Sequence, residues 1–341
     1  MMFNSQIDNI QPEQEPSSDM QPMEQRPAAI LPMQCYGHVQ SYDLFGNPVK
    51  DKKNLSDWFI VPPFSILNVA TDTWQARKKI WMKRINDKAQ ARQNTLSRCG
   101  HEPGSKNWQF MAIKGDTTSV LDPVLCEVLL HWFTEENYKC FDPFSGDAVF
   151  GFCSAYKGRP FTGIELRQEQ VDFNQALINL HGLDGKYICD DAVNVKRHIE
   201  KESIDFLFSC PPYADLEIYS DLENDLSNMD YDVFFDVIAQ VFTDCYSRLK
   251  ENRFAAIVIG EVRHKNTGVY LGLVPTITKI MIDAGFKYYN EMILATPIGN
   301  LHMRASNYMS NGRKIGKQHQ NVLIFYKGNP KNIKKNFKEL R

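Results

Sequence analysis

Residues 139–165, KCFDPFSGDAVFGFCSAYKGRPFTGIE, read as a strand, a sharp turn, a helix and a second strand. The run Lys139–Asp142 stops at Pro143, which has no N–H to donate to a sheet ladder. Gly146 then supplies a residue free to take turn conformations that other side chains resist. The apolar segment 148–157 has helical spacing, and Pro160–Ile164 returns as a strand ending in Glu165. Working outward, the alternation continues. Helix 167–181 leads to strand Tyr187–Cys189, and strand Ile204–Phe208 to helix 231–250. Strand Phe254–Ile259, helix 271–284 and strands Glu291–Ala295 and Asn321–Tyr326 complete the unit, with a helical pattern upstream over Ser119–Phe133. This alternation predicts an α/β fold: a mostly parallel, Rossmann-like sheet of about seven strands with helices on both faces.

Ligands of such sheets bind at the carboxyl ends of the strands, and the candidate residues fall there. The turn in FDPFSGDAVFG (141–151) opens a helix whose first N–H groups lack partners. It also carries Asp142 and Asp147, which repel phosphate and point instead to a cationic or hydroxyl-rich ligand. Glu165 ends the next strand, a place from which it would accept from two ribose hydroxyls; Asp191 ends the one after, where it would accept from an adenine amino group. S-adenosylmethionine, with its sulfonium, ammonium and ribose, matches these acids. Any one of them would also serve as a helix N-cap, but three successive strand ends favour the ligand. Segment 146–151, GDAVFG, lacks the first spacing of G-x-G-x-x-G, which counts against a dinucleotide-dependent dehydrogenase.

Strand 204–208 runs into Ser209, Cys210, Pro211, Pro212 and Tyr213. Two consecutive prolines cannot continue a central strand, so they fix a rigid loop that presents Tyr213 over the cleft. A plain strand stop would explain Pro62-Pro63 equally well, but after a turn like 141–151 the functional reading is favoured. Here the chain resembles the amino-methyltransferases of DNA, over about residues 111–328. Their signature, Asp/Asn/Ser-Pro-Pro-Tyr/Phe/Trp, is approached at 210–213, and their first motif corresponds to Asp142, Pro143, Phe144, Ser145 and Gly146. KGDTTSVLDP (114–123), with Lys114, Asp116, Thr118 and Ser119, is similar to the cofactor motif preceding motif I in one circular arrangement of the family. SCPPYADLEIYS…DLSNM (209–229) and NGRKIGKQHQNVLIFYKGNP (311–330) resemble the DNA methylases of phages and prophages.

The resemblance implies an S-adenosylmethionine-dependent methyltransferase sheet and a target base flipped from double-stranded DNA into the cleft. It also implies methyl transfer to an exocyclic amine, N4 of cytosine or N6 of adenine. In the family the side chain at the position of Cys210 and the carbonyl of the following proline accept from that amine, while the aromatic residue stacks on the base. Cysteine departs from the pattern. A thiol is a weak acceptor, so Ser209 or the Pro211 carbonyl would carry more of the task. Cys210 also raises cytosine-C5 chemistry through a thiolate nucleophile, with Glu261 nearby in topology, although such enzymes place their cysteine after a proline. The same residues would also suit an RNA or protein amine methyltransferase, or a DNA-binding protein with an inactive methyltransferase fold.

Composition sets the frame. The 341 residues carry a net charge of −2 and are 43% hydrophobic, with no apolar run long enough to span a membrane. Residues 1–27 lack the basic start and apolar core of a secretory signal, and the eight cysteines stand singly without C-x-x-C spacing. A cytoplasmic protein with reduced thiols and no metal is expected. The charge is uneven: residues 74–98 hold eight Lys/Arg against one acid. Lys78, Lys79 and Lys83 of that segment, with Arg304, Arg313, Lys314, Lys317 and His319, are candidates for DNA phosphates or guanine edges; a solvated surface would carry the same charges. The expected plan is a disordered tail (1–34), an N-terminal arm with a basic helix (35–110), the catalytic domain (111–328) and a basic tail (329–341).

Overall fold

A computed structural model describes residues 54–85, 96–97, 120–299 and 301–340. The expected tail at 1–34 and the motif residues Lys114, Asp116, Thr118 and Ser119 lie outside the described residues. The elements in chain order are α1 (Leu55–Phe59), β1 (Ile66–Asn68), α2 (Asp72–Ile85), β2 (Leu96–Ser97), α3 (Pro123–Phe133), β3 (Cys140–Asp142), α4 (Val149–Tyr156) and β4 (Phe161–Glu165). There follow α5 (Gln168–Leu180), β5 (Gly185–Cys189), α6 (Val195–His198), β6 (Ile204–Ser209), β7 (Glu217–Ile218), α7 (Tyr231–Arg248) and β8 (Leu249–Ile259). The last are α8 (Leu273–Asp283), β9 (Lys287–Ala295), α9 (Leu301–Gly312), β10 (His319–Lys327) and α10 (Ile333–Asn336).

Eight strands form one sheet in the order β1-β9-β10-β8-β6-β3-β4-β5. β10 runs antiparallel to both its neighbours, and the remaining pairings are parallel. This is the mostly parallel, Rossmann-like sheet that the sequence suggests, with β1 added as an eighth strand at the edge. Strands β3 and β6 are buried along their whole length, as central parallel strands covered by helices on both faces must be. Their chain order reverses between β3 and β6, so the carboxyl ends of β3, β4 and β6 open onto a switch-point crevice.

The described part of the arm is packed onto the sheet instead of standing apart from it. β1 pairs in parallel with β9, Leu67 opposite Leu294. α2 lies on α3 and buries Trp74, Trp81 and Ile85. Helix α3 starts at Asp122, whose carboxylate accepts from the N–H groups of Val124 and Leu125, with Pro123 in the first turn. Glu127, fully buried in its middle, accepts from both Nε and Nη2 of Arg77 (2.6 and 2.8 Å) and from Trp81 Nε1 at 2.8 Å. Part of the basic character of 74–98 thus answers two buried acids of α3. The C-terminal segment is also seated, through Phe337 against Phe254 (ring centroids 5.2 Å) and Tyr138 (6.2 Å).

Candidate active site

A cavity of about 560 Å³ opens at the carboxyl ends of the central strands. Asp142, Pro143, Phe144, Ser145 and Gly146 line one side, joined by Glu165 and Asp191 from the next two strand ends. Gly146 takes φ +50°, the left-handed turn conformation its position requires. Ser145 fastens the turn to β4, its N–H and hydroxyl both donating to the Ile164 carbonyl at 2.9 Å.

The three acids serve both readings open to them. Asp142, 2% exposed, accepts from the Phe144 N–H at 2.9 Å. Glu165 accepts from the N–H groups of Gly146 (3.1 Å) and Arg167 (3.0 Å). Asp191 caps the short turn at 192–194 through the Val193 N–H and accepts from Asn224 Nδ2 at 2.8 Å. All three also line the cavity, and two carboxylate oxygens offer more acceptor sites than these contacts take up. Burial pushes the Asp142 carboxyl up to about 8, with the charges of Asp147 and Glu165 adding to it. Burial likewise pushes Glu165 up to about 7, against the opposing pull of Arg167.

The end of β6, the strand beside β3, supplies another part of the wall. Cys210, Pro211, Pro212 and Tyr213 line the cavity, whereas Ser209 is fully buried in the strand and is absent from its lining. Cys210 Sγ lies 3.8 Å from the Tyr213 hydroxyl. Burial pushes the thiol up to about 12, and the nearby charges of Asp142, Asp147 and Glu217 act in the same direction. Tyr213 is held from two sides. Its hydroxyl accepts from Gln320 Nε2 at 2.9 Å, and its ring lies so close to Gly260 that a Cβ there would sit 3.1 Å from Cε2. Ala214, the next residue, has φ +51° although it is not glycine, a strained conformation that the surrounding packing must enforce.

Other walls bring residues that motif reading passes over. Gln320 sits one position before the Asn321–Ile259 pair of β10 and β8, and Gly260 one position after it. Glu217 and Tyr219 also face the cavity, joined by a 2.6 Å hydrogen bond from the tyrosine hydroxyl to the carboxylate. Lys317 and His319 line it too, with Lys317 Nζ donating to His319 Nε2 at 3.1 Å. Glu261 lies on the wall, but its carboxylate accepts from the N–H groups of Gly272 (3.1 Å) and Val274 (2.8 Å) and so caps α8.

The remaining sequence candidates lie off the cavity wall. Arg304 on α9 and Arg313 and Lys314 beyond it are exposed. Lys79 and Lys83 are exposed on α2, while Lys78 is ion-paired with Asp122 at 2.9 Å. Among the described residues, no group of three or more His, Cys, Asp or Glu is placed to hold a metal ion. Among them too, no helix is long and apolar enough to cross a membrane.

No family model matches the chain, and no curated protein matches it. Solved structures with a similar arrangement include TrmN from Thermus thermophilus, at 14% identity and a TM-score of 0.41 over 61% of this chain and 49% of that one. This chain therefore spans about half the length of TrmN. A methyltransferase from Pyrococcus furiosus is similar at 14% identity and a TM-score of 0.43, over 75% of this chain and 98% of its own. A candidate DNA modification methylase from Thermus thermophilus is similar at 21% identity and a TM-score of 0.31, over 41% of this chain and 51% of its own.

Proposed function

We propose that the chain is an S-adenosylmethionine-dependent methyltransferase acting on the exocyclic amine of a base flipped out of double-stranded DNA. The observation that carries this reading is that one cavity gathers the strand-end acids and the Cys210–Tyr213 segment. Its volume suits a nucleoside-sized ligand with room beside it. The donor set suits this cofactor: buried carboxylates with raised pKa values gain from a cation and from hydroxyl donors. Asp142, Glu165 and Asp191 would hold it, and when bound it supplies a methyl group on a positively charged sulfur. In the same cavity the Pro211 carbonyl is an acceptor for the target amine, and the Tyr213 ring is a stacking face for the base. The rigid Pro-Pro loop and the clamp of Gln320 and Gly260 keep that ring from turning, so positioning is fixed before the base arrives. A polyanionic partner fits the chain's charge, since no Asp or Glu occurs between Glu291 and Glu339. Arg304, Arg313, Lys314 and Lys317 lie in that stretch and, with Lys79 and Lys83, are the cations we assign to phosphates.

The environment of Cys210 favours amine transfer over C5 chemistry. A thiol pushed up to about 12 stays protonated at neutral pH, and the charges around it oppose the thiolate that a nucleophile needs. Cys210→Ser is therefore expected to stay active. Sequencing of DNA from expressing cells, with mass spectrometry of its nucleosides, should find N-methylated cytosine or adenine for both proteins. Methylation confined to RNA or protein would remove DNA as substrate. An inactive but folded Cys210→Ser, with 5-methylcytosine from the parent, would establish the nucleophilic route instead.

The acids make cofactor binding pH-dependent. Asp142 and Glu165 are raised, so the folded chain without ligand holds protons that ordinary carboxylates release near pH 4. Their contribution to stability is complete below that ordinary range and is lost as pH rises through about 7 and about 8. A cationic ligand prefers the ionised forms, so its affinity should rise over the same interval, with protons released on binding. Calorimetry from about pH 6 to 9 in two buffers of different ionisation enthalpy reads both effects. Asp142→Asn should weaken binding by about 1–3 kcal/mol and flatten the profile. A parent with pH-independent affinity and no proton release would refute the assignment.

A further inference from the structure

Cys210 poses a problem that the cavity itself answers. In this reading the target amine needs an acceptor beside Tyr213, and a thiol is a poor one. Several other carboxylates on the wall serve turns and helix starts: Asp142 the Phe144 N–H, Glu165 that of Gly146, Asp191 that of Val193, and Glu261 those of Gly272 and Val274. Asp225 holds the N–H and hydroxyl of Ser227 and the hydroxyl of Ser220. Glu217 belongs to the segment that follows Tyr213. It stands four residues beyond Tyr213, is only 9% exposed, and faces the same cavity. Pairing of β7 with β2, Glu217 opposite Ser97, fixes its backbone, and the Tyr219 hydroxyl reaches it at 2.6 Å.

We infer that Glu217 accepts a hydrogen bond from the exocyclic amine of the target base, supplying the acceptor that Cys210 provides only weakly, while Tyr219 orients the carboxylate. This rests on the amino-methyltransferase reading above. The charge of Glu217 contributes to the upward push on Cys210, Tyr213 and Tyr219 alike. The two oxygens of a carboxylate offer more acceptor sites than the Tyr219 hydroxyl takes up. Carboxylates read the amino group of a base and repel a carbonyl oxygen in its place, so Glu217 would also select amino-bearing bases over their keto counterparts.

The test begins with the parent enzyme and the modified site found by sequencing DNA from expressing cells. Duplexes carrying either that base or an analogue with hydrogen in place of its amine are then titrated, with S-adenosylhomocysteine present. The parent should prefer the amine by about 10–100-fold, as expected for one hydrogen bond to a charged group. Glu217→Gln should reduce the preference at least several-fold and slow transfer, with cofactor affinity unchanged. Tyr219→Phe should have a smaller effect in the same direction. Cys210→Asn introduced into Glu217→Gln should restore part of the preference, which a merely structural role for Glu217 would not allow. Parent-like discrimination and turnover in Glu217→Gln would overturn the inference and leave the methyltransferase reading standing. A parent that methylates no DNA amine would overturn both.

Discussion

Glu127→Ala is expected to lower the unfolding free energy by about 3–5 kcal/mol, the usual cost of stripping one partner from a buried ion pair. Alanine would leave the Arg77 guanidinium, the Trp81 N–H and the Lys157 ammonium, which lies 3.4 Å from the carboxylate, around an apolar gap. Substituting Arg77 instead should cost at least as much, because it strands a fully buried carboxylate with Trp81 and Lys157 beside it, whereas Arg77 itself is 28% exposed and can reach water. The pair also predicts an acid limb. Burial alone would raise the Glu127 carboxyl, but the hydrogen bond and charge of Arg77, with Trp81 and Lys157, pull it below its ordinary value. Its contribution is therefore present above the ordinary carboxylate pKa and lost as pH falls through the lowered folded value. Urea unfolding at pH 7 and across about pH 3–5 checks both points. Glu127→Ala within about 1 kcal/mol of the parent at pH 7 would mean that α2 contributes little through this acid.

Tyr213→Ala should slow single-turnover methyl transfer by about 10–100-fold, the equivalent of about 1–3 kcal/mol of lost base stacking. The ring is the aromatic face set at the end of β6 beside Cys210, and alanine removes it while leaving the three acids of the cavity in place. Cofactor affinity should therefore stay within about twofold. Tyr213→Phe separates the two parts of the side chain. It keeps the stacking face but loses the hydroxyl that accepts from Gln320, so it should retain most of the rate with poorer positioning of the base. Equal losses in the alanine and phenylalanine variants would assign the effect to the hydroxyl and not to stacking.

Much of this architecture is legible in the chain. The unit β3-α4-β4 can be read from residues 139–165 because a proline, a glycine and two apolar runs each have one local solution. The acids can be read for the same reason: strand ends are local features, and a sheet of this class collects them at one edge. What escapes sequence reading depends on pairing between distant segments. β1 has three residues and no period of its own; its identity comes from β9 beside it. Helix α9 buries none of its residues, so no core contact calls for it, and the sequence reading has no helix there. Gln320 and Gly260 meet Tyr213 only because antiparallel β10 lies against β8. The charge count over 74–98 finds a basic segment but gives no sign that Arg77 and Lys78 answer Glu127 and Asp122.

The eighth strand has a consequence for how the chain is made. Residues 66–68 leave the ribosome more than two hundred residues before 293–295, the segment they pair with. At roughly 5–20 residues per second, that interval is on the order of ten seconds or more. Through it, Leu67 has no sheet edge to join, whereas Trp74 and Trp81 wait only until α3 emerges, much earlier. An apolar segment held open for so long is a target for chaperones and for mispairing with neighbouring nascent chains. A strand of only three residues limits that hazard, since so short a ladder holds little until the finished sheet offers its edge. An early strand of the sheet is thus among the last to find its partner.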